Sequence, residues 1–305
     1  MFRLPAHCRF AAAAALAAGM LAWAALVGGC AGPPVVLHNF KVSDGAYTFA
    51  GHQLQWVAAT PDIGDIATAP VAIVIEGDGG ACQAHDPRAW RSFVQKFAGN
   101  FTLVRPVTVV NRLCDTPAFG RLDFSHRLRE LAAIVQSVRA AFGKRPVVLV
   151  GHSAGAALAV LHANANPGQI AAVVNLSGGL DALDDVMRAL CKTDACRSEA
   201  EAWMARTRLN KAVDEPDKVR SPKFFAQLLD LPVFEAWNKY QGPLLLLHGD
   251  HDSAVPASLV RASLQKLPLR ANMTVRIEST WGHDILYKRD SWVQIDAWIK
   301  SMKFP

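Results

Sequence analysis

The chain has 305 residues, is 51% hydrophobic and carries a formal charge of +6. That length and apolar content suffice for one large core with an insertion. The charge is mild and forms no basic block and no aromatic–basic interleaving, so the composition does not support nucleic-acid binding.

Arg3 and Arg9 precede Phe10–Val27, an uncharged run rich in Ala and Leu. This reads as a targeting segment, although a run of that length also suits a transmembrane helix. Leu26-Val27-Gly28-Gly29-Cys30-Ala31 resembles a bacterial lipobox. The resemblance implies removal of residues 1–29, lipidation of Cys30 and a periplasmic protein held to the membrane by that lipid. Ordinary secretory cleavage, for instance after Ala31, is the alternative. Export follows from both, and loss of Arg3 and Arg9 leaves a charge of +4.

Six cysteines are present; Cys8 and Cys30 fall in the leader region, which leaves Cys82, Cys114, Cys191 and Cys196. An even number in an exported chain suggests two disulfides, with three connectivities open. Cys82–Cys114 and Cys191–Cys196 are preferred because each pair falls within one region. Zinc is the weaker reading, as no C-x-x-C pair occurs.

Val35 to Thr60 alternates apolar and polar residues around Ser43-Asp44-Gly45 and Ala50-Gly51, which predicts antiparallel strands. His38 and His52 lie there and read as surface or structural residues. Val71–Ile75 is a short buried strand that runs into Glu76-Gly77-Asp78-Gly79-Gly80. Asp86-Pro87-Arg88 starts a helix to about Ala98, with Trp90, Phe93, Val94 and Phe97 as its apolar stripe. Phe101 to Val110 is expected as a strand broken at Pro106, and Asn111 to Arg121 as a loop. Asp123 to Phe142 is an amphipathic helix stopped by Gly143; His126 on it reads as solvent-facing or structural.

Arg145–Val150 is an apolar, β-branched strand, and Ala156–Ala163 is a strong helix former. Between them stands Gly151-His152-Ser153-Ala154-Gly155. Strand, G-x-S-x-G and helix together read as a nucleophile elbow, in which a strained turn holds a serine hydroxyl at a helix N-terminus. Ile170–Leu176 is a further strand. Strands alternating with helices predict an α/β fold with a parallel, doubly wound sheet and a site at the strands' carboxyl ends. From Leu180 to Gln241 charge becomes dense and helical stretches are separated by Pro216, Pro222 and Pro232. Pro243–Leu247 and Met273–Ile277 are the last strands, and Asp290–Met302 is the closing helix.

On the elbow and these flanks the chain, from about Val35 to its C-terminus, resembles an α/β-hydrolase. The resemblance implies that residues 180–241 are a helical cap over the active site. Trp203, Phe224, Phe225, Phe234, Trp237 and Tyr240 then line a pocket or seat the cap. His248-Gly249-Asp250-His251-Asp252-Ser253-Ala254-Val255-Pro256 resembles the family's H-G-x-x-D-x-x-V-P loop, whose register selects Asp252 as the triad acid. Asp250 and Asp181 are its rivals, read otherwise as a turn residue and as a helix N-cap. Trp281-Gly282-His283-Asp284 stands where the family has its histidine.

The implied chemistry is a Ser153–His283–Asp252 triad, with the oxyanion held by the Asp78 and Ala154 N–H groups. Neither an organic cofactor nor a metal is expected. Glu76 departs from the His usual at that place. Either Glu76 or Asp78 recognises a substrate cation, or both bond the loop's own backbone. The leading expectation is a serine hydrolase cleaving a small-molecule carboxylic ester. A serine peptidase or amidase is the neighbouring alternative, and a non-catalytic binding lipoprotein the distant one.

Overall fold

The computed structural model describes residues 39–62, 68–77, 87–113, 122–209, 222–268 and 270–304. Residues 1–29, Cys30, His38, Asp78, Cys82, Asp86 and Cys114 lie outside the described residues.

Strands β1 (Phe40–Phe49) and β2 (His52–Pro61) form a hairpin in which Phe49 pairs with His52. Its two-residue turn, Ala50-Gly51, has φ of 49° and 78°, the positive pair that suits the twist of a tight hairpin. Ser43-Asp44-Gly45 is not a second break, as its composition suggested, but lies inside β1. Gly45 faces Trp56 across the ladder, and a Cβ there would overlap the indole ring. The glycine makes room for a buried tryptophan.

The remaining strands are β3 (Val71–Ile75), β4 (Thr102–Pro106), β5 (Val147–His152), β6 (Ala172–Leu176), β7 (Leu244–Gly249) and β8 (Met273–Glu278). The eight-stranded sheet has the order β1-β2-β4-β3-β5-β6-β7-β8, with β1 and β2 antiparallel to their neighbours and every pair from β4 to β8 parallel. This is the mostly parallel, doubly wound architecture expected from the alternating elements.

Helices cover both faces, so the central strands are apolar throughout rather than alternating. Period-two side chains nevertheless divide between two cores. Ile73, Leu149 and Leu246 face the side of α3 (Phe124–Phe142) and α4 (Ala154–Ala165). Val74, Val150 and Leu247 face α1 (Pro87–Phe97) and α10 (Arg289–Ser301), whose Trp292, Ile295, Trp298 and Ile299 are all buried.

The strand expected to reach Val110 ends at Pro106, and a short helix, α2 (Val109–Leu113), follows. The β-branched run Val107–Val110 favours a strand locally. Two side chains redirect it. Asn111 accepts from the backbone N–H and the hydroxyl of Thr108, and Glu130 on α3 accepts from the Val109 N–H at 2.5 Å. In α3, Asp123 caps the helix in a reciprocal box with His126, and Gly143 ends it at φ 68°. His126 is thus structural.

Between β6 and β7 lie α5 (Leu183–Leu190), α6 (Asp194–Leu209), α7 (Pro222–Leu229) and α8 (Val233–Lys239). The Cys191–Cys196 disulfide joins the end of α5 to the start of α6, with Cα atoms 5.3 Å apart. Helix α7 packs on α3, and α8 on α4. Phe224, Trp237 and Tyr240 are buried in the core shared with the strands, while Trp203 packs edge-on against Phe225. Phe225 and Phe234 pack against the same core, so five of the six aromatics seat these helices on the body.

Candidate active site

Ser153 sits between β5 and α4 with φ 54° and ψ −125°, a conformation that side chains rarely adopt. The strand-to-helix turn imposes it. A Cβ on Gly155 would overlap the Ile75 carbonyl, and one on Gly151 would overlap the Gly155 carbonyl. Only glycines let β5, α4 and β3 converge this closely. The Ser153 N–H donates to the Leu176 carbonyl at 2.9 Å. The next N–H, that of Ala154, opens α4, where the helix itself supplies no acceptor.

His283 follows β8, three strands from β5 in the sheet and parallel to it. Its Nε2 lies 3.1 Å from Ser153 Oγ, and its Nδ1 lies 3.0 and 2.9 Å from the two Asp252 oxygens. Asp252 is buried. Its Oδ1 also accepts from the Ala254 and Val255 N–H groups, each at 2.8 Å. Burial alone would raise the Asp252 carboxyl. The His283 ring and the two N–H donors outweigh it and hold the group below the ordinary aspartate value. An ionised Asp252 fixes the proton on His283 Nδ1 and leaves Nε2 free to accept from the Ser153 hydroxyl.

The two rival carboxylates are engaged elsewhere. Asp181 pairs with Ser263 on α9 (Ala257–Lys266), and Ala182, not Asp181, is the N-cap of α5. Asp250 is exposed on the turn after β7 and accepts from Arg261 at 2.7 Å, so a side-chain pair, rather than its own backbone, holds it.

Two histidines support the same site. His152 donates Nε2–H to the His283 carbonyl at 2.7 Å. His248 is fully buried and donates Nε2–H to the Val255 carbonyl at 2.9 Å, which secures the loop that carries Asp252. Their roles were not drawn from sequence, although both stand inside quoted motifs, directly before Ser153 and four residues before Asp252.

The Glu76 carboxylate already has a cation of the protein's own as its partner. It forms an ion pair with Arg105 on β4, whose side chain is buried while that of Glu76 is largely so. The Arg105 guanidinium lies 4.5 Å from the Phe93 ring centroid and 5.6 Å from that of Trp90. The Glu76 carbonyl accepts from Arg127 Nη2 at 2.6 Å. Gly77 comes next and touches the nucleophile: a Cβ on it would lie 2.7 Å from Ser153 Cβ. Among the described residues, no group of three or more His, Cys, Asp or Glu side chains is placed to hold a metal ion.

A strained serine at a strand-to-helix elbow, on an eight-stranded sheet of this order, defines an α/β-hydrolase architecture. The chain belongs to the alpha/beta hydrolase family, whose family model matches residues 77–293. No curated protein sequence matches the chain. Among solved structures, Est1E from Butyrivibrio proteoclasticus with ferulic acid bound is 17% identical, with a TM-score of 0.57 over 84% of this chain and 96% of that one. An esterase from Pyrococcus furiosus is 16% identical, with a TM-score of 0.56 over 90% and 94% of the two chains. The esterase domain of a Rhodothermus marinus protein is 16% identical, with a TM-score of 0.55 over 85% and 97%. At these identities the likeness is one of fold.

Proposed function

We propose that the protein is an exported serine hydrolase that cleaves carboxylic esters through Ser153, His283 and Asp252. The observation that carries this reading is the continuous hydrogen-bonded path from Ser153 Oγ through the His283 ring to the buried Asp252 carboxylate. Ser153 Oγ attacks the ester carbonyl carbon while its proton passes to His283 Nε2. The carbonyl oxygen becomes an oxyanion, held by the Ala154 N–H and, by family resemblance, the Asp78 N–H. The intermediate collapses, the carbon–oxygen bond to the alcohol breaks, and His283 returns the proton to the leaving alkoxide. Water attacks the acyl-enzyme, gives its proton to His283, and the acid leaves as Ser153 recovers its own. Asp252 keeps the imidazole in the required tautomer and offsets its positive charge.

The choice of esters over amides is supported by the solved esterases that share the fold. The helices between β6 and β7 act as the cap that sets which ester enters. Labelling of the purified domain by a fluorophosphonate probe, with Ser153→Ala beside it, tests the reading together with a panel of ester and aminoacyl substrates. Wild type should label and hydrolyse esters, and Ser153→Ala should fold and do neither. An unlabelled, inactive wild type would sink the hydrolase assignment, and turnover confined to aminoacyl amides would replace it with a peptidase.

Export and lipidation of Cys30 belong to the same proposal, supported by the lipobox. Intact mass of the membrane-extracted protein should show an acylated N-terminal cysteine at position 30. A mature chain beginning elsewhere would refute the anchor.

A further inference from the structure

Asn175 is the polar member of an otherwise apolar strand, Ala172-Val173-Val174-Asn175-Leu176, and its side chain is fully buried. Burying an amide between strands costs free energy unless its groups are bonded. Both are, and to a single residue. Oδ1 accepts from the Gly178 N–H at 2.8 Å, and Nδ2 donates to the Gly178 carbonyl at 3.3 Å. The side chain thus closes the turn Leu176-Ser177-Gly178 at the carboxyl end of β6. Within that turn Ser177 takes φ 50°, a conformation that persists only where the surroundings impose it.

The closed turn meets the nucleophile twice. Its Leu176 carbonyl accepts from the Ser153 N–H at 2.9 Å. Its Gly178 lies against the first turn of α4: a Cβ there would stand 2.3 Å from Ala156 Cβ and 3.0 Å from the Ser153 carbonyl oxygen. That oxygen also accepts from the Ala156 N–H at 3.0 Å. The Ser153 carbonyl and the Ala154 N–H belong to one planar peptide, so fixing the oxygen on one side fixes the direction of the N–H on the other. Resting on the hydrolase reading above, in which the Ala154 N–H holds the oxyanion, we propose that Asn175 is a positioning residue. By clamping Gly178 it sets the plane of the Ser153–Ala154 peptide and so aims the oxyanion donor. It acts through Gly178 and not on the substrate. The requirement is one of preorganisation: a donor stabilises the transition state only when it already points at the place where charge develops.

The test compares Asn175→Ala and Asn175→Ser with wild type in the full mature protein. It reads kcat, KM, the thermal midpoint and the inhibition constant of a trifluoromethyl ketone analogue of the best ester found. Ser153 Oγ adds to the ketone carbon, its proton passes to His283, and the ketone oxygen becomes an oxyanion placed as in the transition state. Asn175→Ala removes both bonds to Gly178. We expect its kcat to fall about thirtyfold, KM to stay within about twofold, and the ketone to bind about thirtyfold more weakly. Asn175→Ser keeps a hydroxyl acceptor for the Gly178 N–H, as serine does in the turns it closes, and loses the donor to the carbonyl. It should lose about fivefold in both kcat and ketone affinity. A variant that melts earlier but keeps wild-type kcat overturns the proposal, and so does a lowered kcat with unchanged ketone affinity. Should Asn175→Ala fail to fold, Asn175→Ser decides by the same two readings. A wild type that neither labels with the fluorophosphonate nor turns over esters fails the hydrolase reading itself. An active, labelling wild type with indifferent variants fails only the clamp.

Discussion

His152 donates its Nε2–H to the backbone carbonyl of His283 at 2.7 Å, and the two rings sit 5.0 Å apart. Burial pushes the His152 pKa down to about 4, so the ring is neutral at pH 7. A neutral neighbour does not repel the imidazolium that His283 becomes during catalysis, while the donated bond holds the His283 backbone. We expect His152→Ala to lower kcat on esters by about fivefold, the worth of one hydrogen bond near 1 kcal/mol. KM should move little, because the bond acts on the histidine rather than on substrate. Steady-state kinetics decide it, and an unchanged kcat would remove His152 from the list of supports.

Asp252 and Asp181 make opposite predictions. Asp252 bonds His283 through both oxygens, whereas Asp181 pairs with Ser263. Asp252→Asn keeps the shape but favours the wrong imidazole tautomer, a change that costs about 10⁴ in turnover in the serine-protease precedent. Asp181→Asn should leave turnover within about threefold, since its partner is Ser263 rather than the imidazole and the pair contributes mainly to stability. Measuring kcat for both variants tests the assignment. A dead Asp181→Asn beside an active Asp252→Asn would move the acid to the other strand.

The strands of the sheet and the residues that meet at its carboxyl edge are largely legible in the chain. Val71–Ile75, Val147–Val150 and Leu244–Leu247 are apolar without alternation, as strands covered on both faces must be. Ser153 and Asp252 each follow such a run and His283 follows the edge strand β8, so their convergence needs only the sheet order. What is hidden depends on contacts between distant elements. Glu76 finds Arg105 because β3 and β4 are neighbours, a pairing that no local pattern encodes. Asp181 has the composition of an N-cap, but a hydroxyl on α9 takes it. Val107–Val110 has strand propensity, but Glu130, far along the chain, captures the Val109 N–H and turns the run into a helix.

Gly77 is predicted to be intolerant of any side chain for a reason specific to the nucleophile. A Cβ there would stand 2.7 Å from Ser153 Cβ and 3.3 Å from Ser153 Oγ. Something must shift, and the serine's strained backbone leaves it little freedom. Gly77→Ala should therefore reduce kcat by about a hundredfold, comparable to a misplacement of about 1 Å at a reacting group. The cost in stability should stay near 1–3 kcal/mol, the usual range for one extra methyl in a packed region. The rate of fluorophosphonate labelling, together with the urea midpoint, separates the two effects. A variant that is destabilised but labels at the wild-type rate would show that the neighbour, not Ser153, gives way.

Glu130 sets the sign of one pH effect on stability. It is buried on α3, accepts from the Val109 N–H at 2.5 Å and lies 3.0 Å from the Tyr47 hydroxyl. Tyr47 has one proton and two acceptors, since the Val107 carbonyl is 2.7 Å away; a proton on Glu130 satisfies the second contact. Burial raises the Glu130 pKa to about 7, against the lowering effects of the Val109 and Tyr47 bonds and of Arg127. The folded protein thus binds this proton more tightly than the unfolded chain, whose glutamates titrate near 4.3. Protein stability linked to Glu130 is complete below that value and is lost as the pH rises to about 7. The loss approaches roughly 4 kcal/mol at about 1.4 kcal/mol per pH unit. Glu130→Gln keeps an acceptor for Val109 and an amide donor for Tyr47 but has no proton to release. We expect its unfolding free energy to be flatter than that of wild type between pH 4.5 and 7, and higher than wild type at pH 8. Urea unfolding at pH 5 and pH 8 measures the difference. Parallel pH dependences for the two proteins would mean that Glu130 is ionised throughout and that Tyr47 gives its proton to the carboxylate rather than to Val107.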